Sequence, residues 1–325
     1  MSSGFGRIFD NLLGNQNFKD FVLTRIQNKD LRHCNILTGT DGIGKKSLAA
    51  GIAQELLCEE KKDGKACGFC PNCIRVAKHA HENLLIVGPE AGNMIKMESA
   101  KEIQKFLQLQ SSGKPRIIII DQAEKLNAST SNSLLKTLEE PPEGTFFFLI
   151  TNNHYQLLET IRSRSQMFRL KALPTELLKQ KTTAEDWQIH ASGGSFGALQ
   201  TWREESQLEF RSEIASTLEN LDTMNFSELK ESAERLSGDK GQFPKLLELI
   251  CLAIRDAISI QIKENSFRFF PDQSKLIEKL AKIPREKLFE LDETCFNIEQ
   301  NLKINVDRSL HLTSFLLKLK RIYTS

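Results

Sequence analysis

Short uninterrupted runs of apolar residues, each followed by a polar residue, recur in the first half of the chain. The most marked run consists of the four isoleucines at 117–120, which lead into Asp121, and a second run covers residues 146–150 before Thr151. Short runs of β-branched and aromatic residues bounded by polar ones are typical of strands buried on both faces. Both runs therefore predict central strands of a parallel sheet.

The segment between these two runs has the pattern of a helix. Leu134, Leu135 and Leu138 recur at helical spacing, and Pro141 and Pro142 follow as a stop signal. Strand, helix and strand within about 35 residues predict a parallel βαβ unit, since a parallel pair needs a crossover connection. Asp121 and Thr151 then lie at the carboxyl ends of strands, where open α/β sheets place their ligand sites.

An earlier apolar run, residues 35–38, leads into a glycine-rich segment that reads Gly39-Thr40-Asp41-Gly42-Ile43-Gly44-Lys45-Lys46-Ser47. The apolar positions of residues 49–57 then predict a helix. Strand, glycine loop and helix in this order are the context of a phosphate-binding loop, in which backbone N–H groups and a lysine hold phosphate. A glycine-rich turn without a ligand is the alternative interpretation.

One position departs from the phosphate-binding pattern. Lys46 stands where a serine or threonine hydroxyl would hold Mg²⁺. Ser47 is one residue later, which turns it by about 100° around a helix and makes it a poor substitute. The loop therefore predicts nucleotide binding, or descent from a nucleotide-binding protein, but position 46 does not predict a bound Mg²⁺.

Four of the seven cysteines cluster with the spacing C-x8-C-x2-C-x2-C, at Cys58, Cys67, Cys70 and Cys73. Two-residue gaps let successive thiolates turn onto one tetrahedral ion, and four thiolates leave no open catalytic position. The spacing predicts a structural zinc site, with a redox pair or unligated thiols as alternatives. The nearby histidines, His79 and His81, are expected at the surface.

Composition limits the remaining possibilities. With 325 residues, two or three domains are expected, and 44 basic against 42 acidic residues leave a net charge of +2. Such a balance disfavours a strong electrostatic clamp on nucleic acid. No signal peptide and no apolar run of roughly 18 residues is found, so a cytoplasmic protein without a membrane span is predicted.

The second half of the chain is predicted to be helical. Residues 171–204 have the pattern of a small helical lid, and residues 205–325 read as helices, one of them opened by Pro244. In the final helix the apolar residues form either the core of this domain or a surface for neighbouring subunits; they include Leu312, Phe315, Leu316 and Leu319.

Taken in order, the motifs resemble those of the clamp-loader subunits of bacterial DNA polymerase III, a branch of the AAA+ family. Beside the glycine loop and the cysteines, the resemblance rests on Ile-Ile-Asp-Gln-Ala-Glu at 119–124, Leu-Leu-Lys-Thr-Leu-Glu-Glu-Pro-Pro at 134–142 and Thr-Ile-Arg-Ser-Arg-Ser at 160–165. Arg255-Asp256 and Asn-Val-Asp-Arg at 305–308 extend it more faintly. It implies an α/β fold: an AAA+ P-loop domain (1–170) with a zinc insert (58–73), the helical lid (171–204) and an all-α collar (205–325).

Within that family, three positions separate ATPase subunits from a non-hydrolysing partner. The resemblance implies a water-activating Glu beside Asp121, but Gln122 occupies that position and Glu124 is two residues too far along. Lys46 replaces the metal-holding hydroxyl, and Gly197 replaces the lid's sensor arginine. Arg164, in contrast, keeps the arginine-finger position. The resemblance therefore implies a scaffold that donates Arg164 to a neighbouring ATPase.

The resemblance also assigns sites and partners. The nucleotide site, functional or vestigial, is assigned to Gly39, Gly42, Gly44, Lys45, Lys46, Ser47, Asp121, Glu124 and Thr151. The implied cofactors are structural zinc and, if the nucleotide site is functional, ATP. The implied partners form a hetero-oligomer with the gamma or tau and delta subunits, which acts on the sliding clamp and primed DNA. An active gamma- or tau-type ATPase and a zinc-dependent nucleic-acid-binding module are the alternatives.

Overall fold

The computed structural model describes residues 6–89, 94–109, 113–239, 241–263, 268–301 and 307–324. The chain divides into two compact units: Met1–Lys181 with Gly193–Ala198 form the first unit, and Thr182–Ser192 with Leu199–Ser325 form the second. The predicted division into three domains stays a prediction. Asn305 and Val306 of the fainter carboxyl-terminal motif lie outside the described residues.

The first unit contains a parallel sheet of five strands in the order β2-β3-β4-β1-β5. Each neighbouring pair runs parallel. The strands are β1 (Cys34–Thr38), β2 (Leu84–Val87), β3 (Arg116–Ile120), β4 (Thr145–Thr151) and β5 (Gln166–Arg169). Because β4 lies between β1 and β3, the segments that follow these three strands meet at one edge of the sheet.

The isoleucine run forms β3 as predicted, and both of its faces are buried. Ile117 and Ile119 pack in one apolar cluster with Ile52 of the helix after the glycine loop. Ile118 and Ile120 point the other way, into a cluster with Leu134 and its neighbours. All four isoleucines have no exposed surface. This two-sided burial explains why the strand lacks the polar alternation of a half-buried strand.

The helices of the first unit cover the two faces of the sheet. They are α1 (Ile8–Asn11), α2 (Gln16–Gln27), α3 (Lys45–Leu57), α4 (Pro71–Ala77), α5 (Met97–Gln108), α6 (Ala128–Glu139), α7 (Glu159–Arg164) and α8 (Thr175–Lys181), with 3₁₀ turns at Ala123–Lys125 and His154–Gln156. Helix α6 begins where the Asn127 side chain accepts a hydrogen bond from the Thr130 amide, and it ends two residues before Pro141. Capping residue and proline thus fix both of its ends.

The second unit is helical throughout its described part. Its helices are α9 (Asp186–Ala191), the later residues of α10 (Phe196–Trp202), α11 (Glu205–Glu219), α12 (Phe226–Ser237), α13 (Phe243–Gln261), α14 (Ser274–Leu280), α15 (Arg285–Asn301) and α16 (Arg308–Tyr323). Pro244 is in the first turn of α13, as predicted. The four apolar residues of α16 named above are buried in this unit's core, so they serve as core. None of the helices in the described ranges is long and apolar enough to cross a membrane.

Candidate functional site: a phosphate-binding loop, a cysteine cluster and an exposed arginine

The glycine loop connects β1 to α3 and adopts the conformation that its glycines permit. Gly42 and Gly44 have φ angles of 69° and 91°, in the left-handed region that side chains with a Cβ rarely adopt. A Cβ added at Gly44 would meet no atom within 4 Å, so open space lies beside the first turn of α3. The loop and the helix N-terminus therefore border a space that a phosphate group could enter.

Lys45 begins α3 and turns back into the loop. Its Nζ donates hydrogen bonds to the carbonyl oxygens of Gly39 (2.9 Å) and Thr40 (2.7 Å) and to Oδ1 of Asn152 (2.6 Å). The residue is 5% exposed, and this burial lowers its pKa, although Asp41, Glu124 and Asp121 oppose the shift. Asn152 directly follows β4, so the segment after the middle strand supplies a hydrogen-bond acceptor to the lysine.

Lys46 forms an ion pair with the carboxylate at the end of β3. Its Nζ lies 3.2 Å from Oδ2 of Asp121, and the two side chains are 47% and 23% exposed. In the phosphate-binding pattern, these two positions hold a magnesium ion between them. In this chain an ammonium group neutralises the carboxylate directly.

The other predicted nucleotide residues fall into two groups. The residues that line one cavity of about 710 Å³ with the loop are Gly42, Gly44, Lys45, Lys46, Ser47, Asp121 and Thr151. Gly39 and Glu124 do not line this cavity in the described part of the chain, although the Gly39 carbonyl oxygen accepts a hydrogen bond from Lys45. Gln122, beside Asp121, lines the cavity and has a left-handed φ of 52°. The structure thus brings most of the predicted set together.

Gly197 lies directly on the glycine loop. Its amide donates to the carbonyl oxygen of Gly42 at 2.9 Å. A Cβ at Gly197 would approach the Gly42 Cα to 2.9 Å, closer than real Cβ contacts come. Both glycines belong to the first unit. The position where the resemblance expects a sensor arginine is therefore closed to any side chain unless the backbone shifts.

The four clustered cysteines converge as their spacing predicts. Their Sγ atoms all lie within 4.8 Å of one another. Three sulfur–sulfur distances are 3.7, 4.0 and 3.9 Å: Cys58 to Cys67, Cys58 to Cys70 and Cys67 to Cys73. A tetrahedral ion with zinc–sulfur bonds of about 2.3 Å requires sulfur–sulfur edges of about 3.8 Å. The donor set and its spacing therefore fit one zinc ion.

Backbone amides point at the sulfur atoms of this cluster. Cys67 Sγ accepts from the amides of Phe69 (3.4 Å) and Cys70 (3.3 Å), and Cys58 Sγ accepts from Cys67 at 3.3 Å. Burial raises the pKa of the Cys67 thiol, but the two amides and the neighbouring thiols outweigh burial and lower that pKa to about 7. N–H donors favour the thiolate at Cys67, whereas burial raises the pKa of the Cys58 and Cys73 thiols.

The cysteine cluster is attached to α3 through buried polar groups. Glu55 Oε2 accepts from the Ala66 amide at 2.7 Å, and Gln54 Nε2 donates to the Cys73 carbonyl at 3.3 Å.

His81 is buried, and its Nδ1 accepts from the Asn83 amide at 3.0 Å. The expectation that His81 lies at the surface is therefore wrong: the ring is buried, with a hydrogen bond at Nδ1 and none at Nε2.

Arg164 is the last residue of α7. Its Nε lies 3.0 Å from Oε1 of Glu139, the last residue of α6, and its Nη1 donates to the Thr160 carbonyl at 3.1 Å. The Arg164 and Glu139 side chains are 43% and 38% exposed. Arg162 differs, because its guanidinium lies over the Tyr155 ring at 5.8 Å. Of these two arginines, Arg164 is therefore the one that an anion from outside can reach, by displacing Glu139 from the ion pair.

Two groups of residues at the site carry no recognisable signal in the sequence. Asn152 follows the second apolar run in the sequence, but its contact with Lys45 depends on the sheet order β3-β4-β1. The apolar part of the cavity lining comes from segments far apart in the sequence, and no local pattern marks them. These residues are Leu12, Leu13, Leu173 and Phe196; Ile43 of the glycine loop and Ile150 of β4 complete the apolar lining.

Comparison with known proteins gives the same family for both halves of the chain. The family described as "DNA polymerase III, delta subunit" matches residues 14–174, and that described as "DNA polymerase III, delta subunit, C terminal" matches residues 205–321. Together the two matches cover most of the chain. A solved structure of a gamma subunit-related protein from Thermotoga maritima is 18% identical, with a TM-score of 0.44 over 93% of this chain and 99% of that one.

Curated relatives carry the names of two clamp-loader subunits. The delta' subunit of Pseudomonas aeruginosa is 26% identical over 88% of this chain and 91% of its own length, and that of Escherichia coli is 31% identical over 51% and 53%. The tau subunit of Escherichia coli is 27% identical over 84% of this chain, but the chain spans only 43% of tau. The predicted class of P-loop parallel-sheet fold with an all-helical carboxyl-terminal part is confirmed, and the chain belongs to the delta-type subunit family of the bacterial DNA polymerase III clamp loader.

Proposed function

We propose that this chain acts as a delta'-type subunit of the clamp loader: a scaffold that does not hydrolyse ATP and that donates Arg164 to a neighbouring ATPase subunit. Its partners in this proposal are the gamma or tau and delta subunits, and through them the sliding clamp and primed DNA. Such a complex operates in the cytoplasm, where thiolates remain reduced and available to zinc.

The ion pair between Lys46 and Asp121 carries the non-hydrolysing part of the proposal. Hydrolysis of ATP by P-loop proteins uses a magnesium ion held by a hydroxyl and this carboxylate, together with a group that orients or activates water. The Lys46 ammonium pairs with this carboxylate, position 46 offers no hydroxyl to a metal ion, and the Gln122 amide cannot accept a proton. The contact between Gly197 and Gly42 leaves no room for a side chain at position 197 unless the backbone shifts. These three features disfavour the alternative of an active gamma- or tau-type ATPase.

The Arg164 part of the proposal is supported by the weakness of its ion pair. Half-exposed ion pairs contribute about 0.2–1 kcal/mol, because side-chain entropy and water offset most of the attraction. The contact with Glu139 holds the guanidinium at the end of α7 without fixing it strongly. A phosphate on a neighbouring subunit could displace Glu139, since a guanidinium binds phosphate through two parallel hydrogen bonds.

Assembly tests the proposed function most directly. The purified chain is mixed with the tau or gamma and delta subunits of the same organism, and the masses of the complexes are measured by light scattering after gel filtration. We expect one complex that contains all the subunits and that loads the clamp onto primed DNA. A chain that stays alone, or a loader that works equally well without it, contradicts the proposal.

ATP turnover by the isolated chain is expected to stay at background. The physical reason is the absence of a metal-holding hydroxyl and of a carboxylate beside Asp121. Release of inorganic phosphate measures this turnover, with Lys45→Ala as the control for contaminating enzymes. Turnover near the roughly 1–100 s⁻¹ of phosphoryl-transfer kinases, abolished by Lys45→Ala, would establish the ATPase alternative instead.

A further inference from the structure

Two cysteines outside the cysteine cluster share a cavity within the second unit. Cys251 lies in α13 and Cys295 lies in α15, two helices that pack against each other. Both thiols belong to the apolar core of this unit or contact it. Both also line one cavity of about 480 Å³, which Leu247 of α13 and Glu299 of α15 border as well. The two side chains therefore reach one space from neighbouring helices.

The helical position of each cysteine explains why the two meet. Cys251 follows Leu247 by one turn, and both residues line the cavity. Cys295 follows Leu291 by one turn and precedes Ile298 by three residues, and both of these neighbours are buried. Because residues three and four apart share one face of a helix, Cys295 lies on the buried face of α15.

The two thiols differ in exposure and in how strongly they hold a proton. Cys251 is half-buried, whereas Cys295 is 1% exposed. Hydrogen bonding to the Cys251 side chain is the largest cause that raises the pKa of Cys295, and burial adds to it. A small reagent that enters the cavity therefore meets the Cys251 sulfur first, with the Cys295 thiol beside it.

A metal ion fits this pair less well than a covalent bond does. A structural zinc ion takes four protein ligands. Within the described ranges, only the cysteine cluster of the first unit brings three or more cysteine, histidine or carboxylate groups close enough to hold an ion. Glu248 and Glu299 line the cavity with the thiols but complete no such group. Two adjacent thiols without further ligands can still bond to each other.

We propose that Cys251 and Cys295 form a reversible disulfide when a peroxide enters the cavity, and that this bond locks α13 to α15. The Cys251 sulfur attacks one peroxide oxygen and the O–O bond breaks. Cys251 becomes a sulfenic acid, and the other oxygen takes the thiol proton and leaves as water or, from an organic peroxide, as an alcohol. The Cys295 sulfur then attacks the Cys251 sulfur, and the oxygen leaves with the Cys295 proton as water. The two thiols lose two electrons, which the peroxide gains.

The cavity and the chain between the cysteines suit such a bond. One water molecule takes about 30 Å³ of liquid, so a cavity of about 480 Å³ admits a peroxide. Residues 252–294, which include α14, would lie in the closed loop, and a disulfide restricts the unfolded chain more when the loop is long. In the cytoplasm most protein disulfides are transient or redox-sensing, so the bond is expected to reverse when reductant returns.

Peptide mapping after mild oxidation tests the proposal. The full-length chain is treated with hydrogen peroxide, the remaining thiols are alkylated, and the chain is digested with trypsin. We expect the tryptic peptides 246–255 and 288–303 to be joined, with two hydrogens fewer than the separate peptides, and dithiothreitol to release them. Amide hydrogen exchange in α15 is expected to slow by about 30-fold or more after oxidation, the lower end of what disulfides contribute.

Three variants assign the roles of the sulfur atoms. Cys251→Ser is expected to lose the cross-link and to keep Cys295 as a free thiol. Cys295→Ala is expected to stop at the sulfenic acid of Cys251, which dimedone traps. Cys34→Ser removes a buried cysteine of β1 that contacts Ser165, and it is expected to cross-link as the wild type does. Circular dichroism melting shows whether each variant is folded.

Three results would overturn the proposal: peptides 246–255 and 288–303 that stay separate in the oxidised wild type, linkage of these peptides only to the cysteine cluster or to a second chain, or a cross-linked chain whose exchange in α15 is unchanged. The mapping of the wild type needs no substitution, so it decides the matter even if a variant fails to fold. The proposed function is tested independently, since none of these measurements involves assembly with the loader subunits.

Discussion

Replacement of Arg164 by alanine is expected to lower DNA-stimulated ATP turnover and clamp loading by a reconstituted loader, while the chain still folds and assembles. In the transition state of phosphoryl transfer, charge spreads over the phosphoryl oxygens, and a guanidinium stabilises that charge without proton transfer. Arginine fingers in GTPases are worth about 10³–10⁵ in rate, an upper guide for the one site that Arg164 would face. Turnover is measured with wild-type ATPase subunits and this single change.

A merely structural arginine predicts a different pattern of variants. If Arg164 served only to pair with Glu139, then Arg164→Ala and Glu139→Gln would have the same effect, because both break one contact. A finger predicts that Arg164→Ala lowers turnover and that Glu139→Gln leaves it at or above the wild-type rate. Arg164→Lys keeps the charge but loses the planar fork, so an intermediate rate is expected.

A matched control removes another exposed arginine. Arg169, the last residue of β5, is exposed, and Arg169→Ala changes the net charge by the same amount. It is expected to leave turnover unchanged. The free energy of unfolding of Arg164→Ala should fall by no more than about 1 kcal/mol, since only a surface ion pair is lost. Turnover and loading that match the wild type would leave Arg164 as an ordinary structural residue.

The sequence predicted best those elements whose burial is complete. The isoleucine run and residues 146–150 are β3 and β4, because two-sided burial leaves a continuous apolar run. Strand β2 at the sheet edge and helix α5 were not predicted. In β2, Leu84 and Val87 are buried and the two residues between them are half-buried, so the strand forms only a four-residue run that resembles other apolar segments.

Within the site, residue types could be predicted but their pairings could not. Lys46 could be recognised as the wrong residue for a metal site, whereas its ion pair with Asp121 depends on the packing of α3 against β3. An unspecified carboxylate partner for Arg164 was conceivable from sequence, but Glu139 became identifiable only once α6 and α7 were placed together. The contact between Gly197 and Gly42 likewise involves only backbone atoms, so the spacing of residue types in the sequence could not predict it.

Loss of a single cysteine from the cluster is expected to remove the zinc ion. Cys73 has no exposed surface and contributes one of the four converging sulfur atoms. Three remaining thiolates and a serine hydroxyl, a poorer zinc ligand, cannot close the tetrahedral site. Elemental analysis of protein purified without chelator should find about one zinc per wild-type chain and close to none per Cys73→Ser chain.

The same substitution is expected to loosen the cysteine-containing segment, because metal binding and local folding are coupled. Loss of a structural metal is among the few changes that cost on the order of 4 kcal/mol. Amide hydrogen exchange in residues 58–77 should therefore accelerate by about 10³-fold, since 1.36 kcal/mol corresponds to a factor of ten. The amides of Ala66, Cys67 and Cys70, which donate to Glu55 and to sulfur atoms, report this opening directly.

A matched control replaces a cysteine outside the cluster. Cys251 of α13 is half-buried in the second unit, and Cys251→Ser is expected to keep both the zinc and the slow exchange of residues 58–77. Treatment of the wild type with a strong chelator should reproduce the exchange pattern of Cys73→Ser, because either change leaves the cluster without its ion. Wild-type protein that contains no zinc, and whose exchange in this segment is insensitive to the chelator, would show that the four thiols pack without a metal.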